Sequence, residues 1–272
     1  MTAAERLYQR LIKVVASRRS WAPVRWIARA CGIYLNLYEN HSYEPSQNGE
    51  SRVIDVLSDQ AGLCVFDVGA NVGDWAAEIR ARLRASSLHC FEIVPTTAEK
   101  LAARYAPESS VHVNAFGLAA AEGTVQVRFF PGFAEGSSVT GYDHGLPSEW
   151  LDCPVRRGDD YCREAGVEHI DLLKIDAEGS DLDVLQGFER MFGEGRVRAA
   201  QFEYGRANII SHALLRDFDA FFTSRGYVLG KIYPKSVEFR DYAFEHEDFR
   251  GPNFLAIRRD DEALRLALAS PD

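Results

Sequence analysis

No uninterrupted apolar run in this sequence reaches the roughly 18 residues that a helical membrane span needs, and no apolar core of secretory-signal length follows the first residues. Cytoplasm is the expected compartment. Cysteine is scarce: the five residues at 31, 64, 90, 153 and 162 form no Cys-x-x-Cys pair and have no histidine at metal spacing. Cys64 and Cys90 fall within apolar runs, as small buried thiols of a reducing compartment do. Surplus positive charge is missing as well. With 40 acidic residues against 31 Lys and Arg the chain carries −9 at pH 7, so no general affinity for nucleic acid is expected. Internal repeats and low-complexity tracts are absent too. What is there, 272 residues with 46% hydrophobic and 26% charged content, makes one sizeable globular domain with room for an appendage.

The most informative stretch is Leu63-Cys64-Val65-Phe66-Asp67-Val68-Gly69-Ala70-Asn71-Val72-Gly73-Asp74-Trp75. An apolar run that ends in an acid and two glycines, then starts a new apolar period, fits a buried parallel strand turning sharply into a helix. Gly69 and Gly73 admit a bend or the close approach of a ligand. The dinucleotide fingerprint G-x-G-x-x-G fails, because Asn71 and Asp74 hold its second and third glycine positions. A nucleoside without a pyrophosphate suits the turn better. Asp67 can accept from an amine, with Ala70 and Asn71 beside it. The next strand, Leu88 to Ile93, places Glu92 where a carboxylate can accept both hydroxyls of a ribose, with Ile93 beside it.

Residues 1 to 31 hold seven basic side chains against Glu5, a net charge of +6 that leaves −15 for the remainder. Leu7, Leu11, Val14 and Val15 follow a helical face, and Pro23 restarts the helix before Trp26 and Ile27. This reads as a helical pair packing on the domain or on a second copy, or as a peripheral attachment to an acidic membrane surface. Residues 38 to 52 form a polar loop placed to act as a lid ahead of a helix from Arg52 to Gln60, with Glu50 in it as a candidate ligand contact. The third strand, Val111 to Phe116, ends at Asn114 and Gly117, where an amide can meet a purine edge. After a strand from Val125 to Phe130, residues 131 to 150 show no period. They form a long loop whose Ser137 and Ser138 are candidate acceptor contacts.

The second chemical stretch is Ile170-Asp171-Leu172-Leu173-Lys174-Ile175-Asp176-Ala177-Glu178-Gly179-Ser180. A lysine inside a buried strand demands a carboxylate partner, and alternation puts Lys174, Asp176 and Glu178 on one face of an extended chain. Ser180 to Asp183 reads as a capping box. The strand Val197 to Gly205 brings Glu203 next to Asp176, a pair able to share a proton, orient a hydroxyl or hold Mg2+. Tyr204 and His212, with Ser211 capping the next helix, are further acceptor-side candidates. Strands Tyr227–Tyr233 and Asn253–Arg258 can pair antiparallel and make the sheet mixed.

With these residues in place, the chain resembles the FkbM-family S-adenosylmethionine-dependent methyltransferases. The resemblance rests on Phe66-Asp67-Val68-Gly69-Ala70-Asn71-Val72-Gly73, Phe91-Glu92, Asp171-Leu172-Leu173-Lys174-Ile175-Asp176-Ala177-Glu178-Gly179 and Asn48-Gly49-Glu50. It covers roughly residues 45 to 258. It implies a Rossmann-like α/β fold of the class I methyltransferase type, a mostly parallel seven-stranded sheet with helices on both faces; the N-terminal helical extension is expected from the patterning of residues 1 to 31 and has no counterpart in the resemblance. The expected divisions are 1–44, 45–260 and a tail 261–272. S-adenosyl-L-methionine is the implied donor, leaving S-adenosyl-L-homocysteine, and the implied acceptor is a hydroxyl of a sugar, glycan or glycosylated natural product. Leu118-Ala119-Ala120 stands where members of the family often carry Leu-Ser-Asp. Asp67, Gly69, Ala70, Asn71, Gly73, Glu92, Ile93, Asn114, Gly117, Glu50 and Asp176 are then donor contacts, and Asp176, Glu203, Lys174 and Glu178 the catalytic candidates. A nicotinamide-dependent oxidoreductase and a non-catalytic nucleoside-binding partner are the alternatives. A homodimer is compatible with the sequence.

Overall fold

The structure, a computed structural model, describes residues 1–132, 137–139, 141 and 145–270, the side chains of 84–86 excepted. Its central sheet runs in the order β10-β9-β11-β8-β7-β1-β2-β3. The strands are β1 (Ala61–Val68), β2 (Arg84–Phe91), β3 (Val111–Asn114), β7 (Ile170–Ile175), β8 (Val197–Glu203), β9 (Tyr227–Tyr233), β10 (Ser236–Phe239) and β11 (Asn253–Arg258). Strands β3, β2, β1, β7 and β8 are parallel, and β11 runs antiparallel between β8 and β9. This is the expected Rossmann-like sheet, with β10 added at the edge as a hairpin on β9.

Alternation along the strands builds a core on each face. In β1, Cys64, Phe66 and Val68 join one cluster with Phe188, Phe192 and Phe222, whereas Leu63 and Val65 join the other with Ile54, Ile79 and Leu101. The second cluster is covered by α4 (Glu50–Leu57), α5 (Asp74–Arg82), α6 (Pro95–Tyr105) and α12 (Glu262–Ala269). The first is covered by α7 (Gly158–Ala165), α8 (Asp181–Gly187), α9 (Glu189–Gly193) and α11 (Leu215–Thr223). Within α12, Leu264 and Leu268 are buried against the second cluster, and Asp261 caps the helix through the Leu264 amide.

Several local expectations are corrected. The helix placed at Arg52 to Gln60 runs from Glu50 to Leu57, and the third strand stops at Asn114. The aperiodic segment after residue 130 ends in a strand: β6 (Glu149–Arg156) pairs antiparallel with β5 (Gly123–Phe129) and parallel with β4 (Gly117–Leu118) in a separate small sheet. Its burial pattern is weakly alternating and Pro154 interrupts it, so periodicity concealed it. Residues 133–136, 140 and 142–144 of that segment lie outside those described. Ser180 makes no capping bond; the Asp181 carboxylate instead accepts from the amides of Gly179 and Glu203. Ser211 ends α10 (Ala207–Ser211) and does not cap α11, where Asp217 accepts from the Leu214 amide.

At the other end, α1 (Ala3–Ser17) and α2 (Ala22–Tyr38) contain no buried residue. The chain then returns to the domain at Glu39, whose carboxylate lies 2.6 Å from the buried Lys231 Nζ, and at Asn40, whose amide donates to the carbonyls of Asn48 and Ile232. A short helix α3 (Pro45–Asn48) leads into α4.

Candidate active site

The parallel strands β2, β1, β7 and β8 end on one edge of the sheet, and a cavity of about 550 Å3 opens there. Carbonyls and amides freed at a strand-to-helix junction collect at such an edge, which is where ligands bind in open α/β sheets. The small sheet walls one side with Val125, Val155, Gly117, Leu118 and Ala119, and Tyr43, Glu44 and Pro45 reach in from the other.

The β1 turn is fixed from both sides. The amides of Gly69 and Ala70 both donate to the Phe91 carbonyl at 2.9 and 3.0 Å, and the Asp176 amide donates to the Val68 carbonyl at 2.9 Å. Gly69 has φ +80°, and a Cβ there would stand 1.9 Å from the Asp176 carbonyl oxygen. The glycine is required by the neighbouring strand end. Gly73 likewise serves protein packing: a Cβ would meet Leu101 and Tyr105 at 2.6 and 2.7 Å, and Gly73 does not line the cavity. Gly73 packs against α6, its carbonyl accepting from the Tyr105 hydroxyl at 2.8 Å.

Asp67 is fully buried at the cavity wall, and neither carboxylate oxygen has a hydrogen-bond partner. Burial pushes its carboxyl up to about 6, against the pull of Lys174. Lys174 Nζ lies 3.0 Å from Asp176 Oδ2 and 3.7 Å from Asp67 Oδ1, so one ammonium faces two carboxylates. Burial opposes charge on Lys174, yet Asp176, Asp67 and Glu50 outweigh it and hold the group above its ordinary value. The Asn71 Oδ1 and the Trp75 Nε1, also buried, have no partner either. An unbonded polar atom buried beside a cavity costs stability unless a ligand satisfies it.

Glu92 is held differently. Its Oε2 accepts from the Asn71 amide and its Oε1 from the Val94 amide, both at 2.8 Å, which aims the carboxylate while leaving further lone pairs for a ligand. Burial raises its carboxyl and these two amides offset part of the effect. Ile93 and Ala70 lie alongside.

At the far end the β7 and β8 tips bring Asp176, Glu178 and Glu203 to the cavity with Asp183. Strand β7 stops at Ile175, and Glu178 arrives through a left-handed turn at φ +50°, so alternation is not what gathers the acids. Glu203 is raised well above the ordinary carboxylate value by burial, then by Asp176, Asp181 and Glu178. Buried Asp181, pushed up to about 7 by burial and by Asp176, anchors the Glu203 amide.

Glu50 sits in a ring of amides that the sequence reading missed: Asn48 Nδ2 at 2.6 Å, Gln201 Nε2 at 2.7 Å and Asn253 Nδ2 at 3.1 Å. The three come from distant parts of the chain, so only Asn48 carried a local signal, in Asn48-Gly49-Glu50. Asp181 was visible only as a helix cap, and Trp75 only as a core residue.

Three expected contacts stand elsewhere. Asn114 does not line the cavity; its amide donates to the carbonyls of Cys90 and His112 and to the Tyr161 hydroxyl. Tyr204 is buried against Phe249 with its hydroxyl donating to Glu247. His212 is exposed at φ +60° after α10. Ser137 and Ser138 do reach the cavity, Ser137 Oγ accepting from the Phe130 amide at 3.2 Å. Among the described residues no group of three or more His, Cys, Asp or Glu is arranged to hold a metal ion, and the Lys174 ammonium already supplies Asp176 with a positive partner. Mg2+ at Asp176 and Glu203 gains no support from this arrangement.

The sheet order defines a Rossmann-like α/β fold with a cavity at the tips of its parallel strands. Residues 67–229 match the Methyltransferase FkbM domain, and the chain belongs to that family. It is similar to the AMB antimetabolite synthetase AmbE of Pseudomonas aeruginosa, 27% identical over an alignment of 225 positions that covers 66% of this chain and 10% of AmbE. It is also similar to the 2-O-methyltransferase NoeI of Sinorhizobium fredii, 28% identical over an alignment of 151 positions that covers 50% of this chain and 61% of NoeI. This chain therefore spans less than two thirds of either relative. Among solved structures, a methyltransferase FkbM from Methylobacillus flagellatus aligns over 72% of this chain and 43% of its own, with 16% identity and a TM-score of 0.45.

Proposed function

We propose that the protein transfers a methyl group from S-adenosyl-L-methionine to a hydroxyl of a sugar, glycan or glycosylated natural product. The observation that carries this reading is Asp67, a fully buried carboxylate on the cavity wall with both oxygens unbonded. Lys174 already faces Oδ1 at 3.7 Å, and an ammonium such as that of the donor's methionine part, entering the cavity beside it, would add a second positive partner. Glu92, aimed by two backbone amides, would hold the ribose hydroxyls, and the apolar wall from Ile93, Leu118 and Val155 would take the base. Bound there, the donor would supply a methyl group made electrophilic by its sulfonium.

The chain's own residues then have to orient the acceptor oxygen and remove its proton. Glu203, whose carboxyl is shifted upward, is the proton acceptor in this reading. Asp176, paired with Lys174, accepts from a neighbouring hydroxyl of the acceptor and so orients the reacting one toward Glu203. An end of the cavity framed by Asp176, Glu178, Asp183 and Glu203 repels phosphate or carboxylate groups and suits a polyhydroxylated surface. The naming of NoeI as a 2-O-methyltransferase supports oxygen as the target.

Isothermal titration with S-adenosyl-L-homocysteine and with NAD separates this function from hydride transfer. The expected result is saturable binding of S-adenosyl-L-homocysteine, weakened in Glu92→Gln by about tenfold or more, and no binding of NAD. Binding of NAD alone would overturn it.

A further inference from the structure

We propose that α1 and α2 dock on an anionic lipid surface. With about 100° per residue, Arg6, Arg10 and Lys13 fall on one line of α1, while Leu7, Tyr8, Leu11, Ile12, Val14 and Val15 fill the opposite face. In α2, Arg25, Arg29 and Asn36 share one line, and Trp26, Ile27, Ile33, Tyr34 and Leu37 occupy an arc about 60° to 180° round the helix from it. Neither helix buries a residue, so both apolar faces lie in water, with Trp26 and Leu37 each 75% exposed. Amphipathic helices with basic polar faces and aromatic residues lie in the headgroup layer with their apolar side down.

Two features favour a bilayer over a second copy of the chain. The apolar stripe of α1 spans about 160° of the helix, broader than the seam of a coiled-coil pair. Charge is also segregated: residues 1 to 31 carry +6 while the rest of the chain carries −15. An anionic surface therefore attracts the arm and repels the body, which orients the protein. The arm ends at Tyr38 and re-enters the domain through the Glu39–Lys231 pair, and Tyr43, Glu44 and Pro45 at the cavity mouth follow at once.

Co-sedimentation of the full chain with vesicles of phosphatidylcholine alone, and of phosphatidylcholine mixed with phosphatidylglycerol, tests this. Binding is expected only to the mixed vesicles. It should fall by about tenfold or more in the triple variant Arg6→Glu, Arg10→Glu, Lys13→Glu, and likewise in Leu11→Ser with Trp26→Ser. Because none of these side chains is buried, circular dichroism and the thermal midpoint of the domain should be unchanged, which separates lost docking from lost folding. No binding to mixed vesicles, or equal binding by the charge-reversed chain, overturns the proposal. So does a dimer by light scattering that Leu11→Ser with Trp26→Ser dissociates without any vesicle binding by the parent chain, since that assigns the face to a second copy.

Discussion

The α-carbon of Gly69 faces the carbonyl of Asp176 so closely that a single added methyl would sit 1.9 Å from the oxygen. This contact joins the tips of β1 and β7, and with them the two ends of the cavity. Gly69→Ala must push these strand ends apart and also hold alanine at φ +80°. We expect a loss of about 2–4 kcal/mol in urea unfolding, together with loss of S-adenosyl-L-homocysteine binding. Wild-type stability in this variant would show that the turn relaxes freely.

Asp67 carries an opposite expectation for stability and for ligand binding. Its carboxyl stands at about 6, above the ordinary 3.8, so the folded chain holds that proton more tightly than the unfolded chain. The resulting contribution to stability is complete below the unfolded value and disappears as pH rises through about 6. Asp67→Asn removes the charged state altogether and should make the ligand-free protein more stable at neutral pH by roughly 1–3 kcal/mol. The same variant should bind S-adenosyl-L-homocysteine more weakly by about tenfold or more. Parallel urea unfolding at acid and neutral pH, with titration of the ligand, checks both signs. A variant less stable than the parent at neutral pH contradicts the unsatisfied-carboxylate reading.

Glu203 is pushed upward by burial and then by Asp176, Asp181 and Glu178, so it takes a proton more readily than an exposed glutamate. If it accepts the acceptor proton, turnover should climb with pH as Glu203 ionises. Glu203→Gln should erase that limb and lower kcat by about 10²–10⁴-fold, with donor affinity retained. Asp176→Asn should lower turnover as well. A pH–rate profile of Glu203→Gln with the parental limb intact would move the base elsewhere.

Tyr204 supports the fold around Glu247, which also accepts from the Tyr242 hydroxyl and the amides of Leu215 and Arg216. Tyr204→Phe should cost about 1.5–3 kcal/mol in thermal or urea unfolding, with KM for the acceptor unchanged. A raised KM at unchanged stability would return Tyr204 to the acceptor site.

The sequence alone determined the elements that report locally. An apolar run ending in Asp67 and Gly69, a lysine stranded at 174 inside a buried strand, and acids at strand ends in Glu92, Asp176 and Glu203 are each legible within a dozen residues. Such residues are costly or strained unless a parallel sheet edge accommodates them. The basic, apolar arm was equally visible, since amphipathic period is a property of one segment. Tertiary structure decided everything that required two distant segments to meet. Gly73 and Tyr204 turned out to serve packing, Asn114 bonded backbone and Tyr161, and Glu50 gathered amides from residues 48, 201 and 253. Strand β6 was hidden for the same reason, because its partners β5 and β4 lie across a long connection and only pairing gives it a face to bury. Pattern fixes which residues must be inside or at an edge; only the packed chain determines which partner each of them finds there.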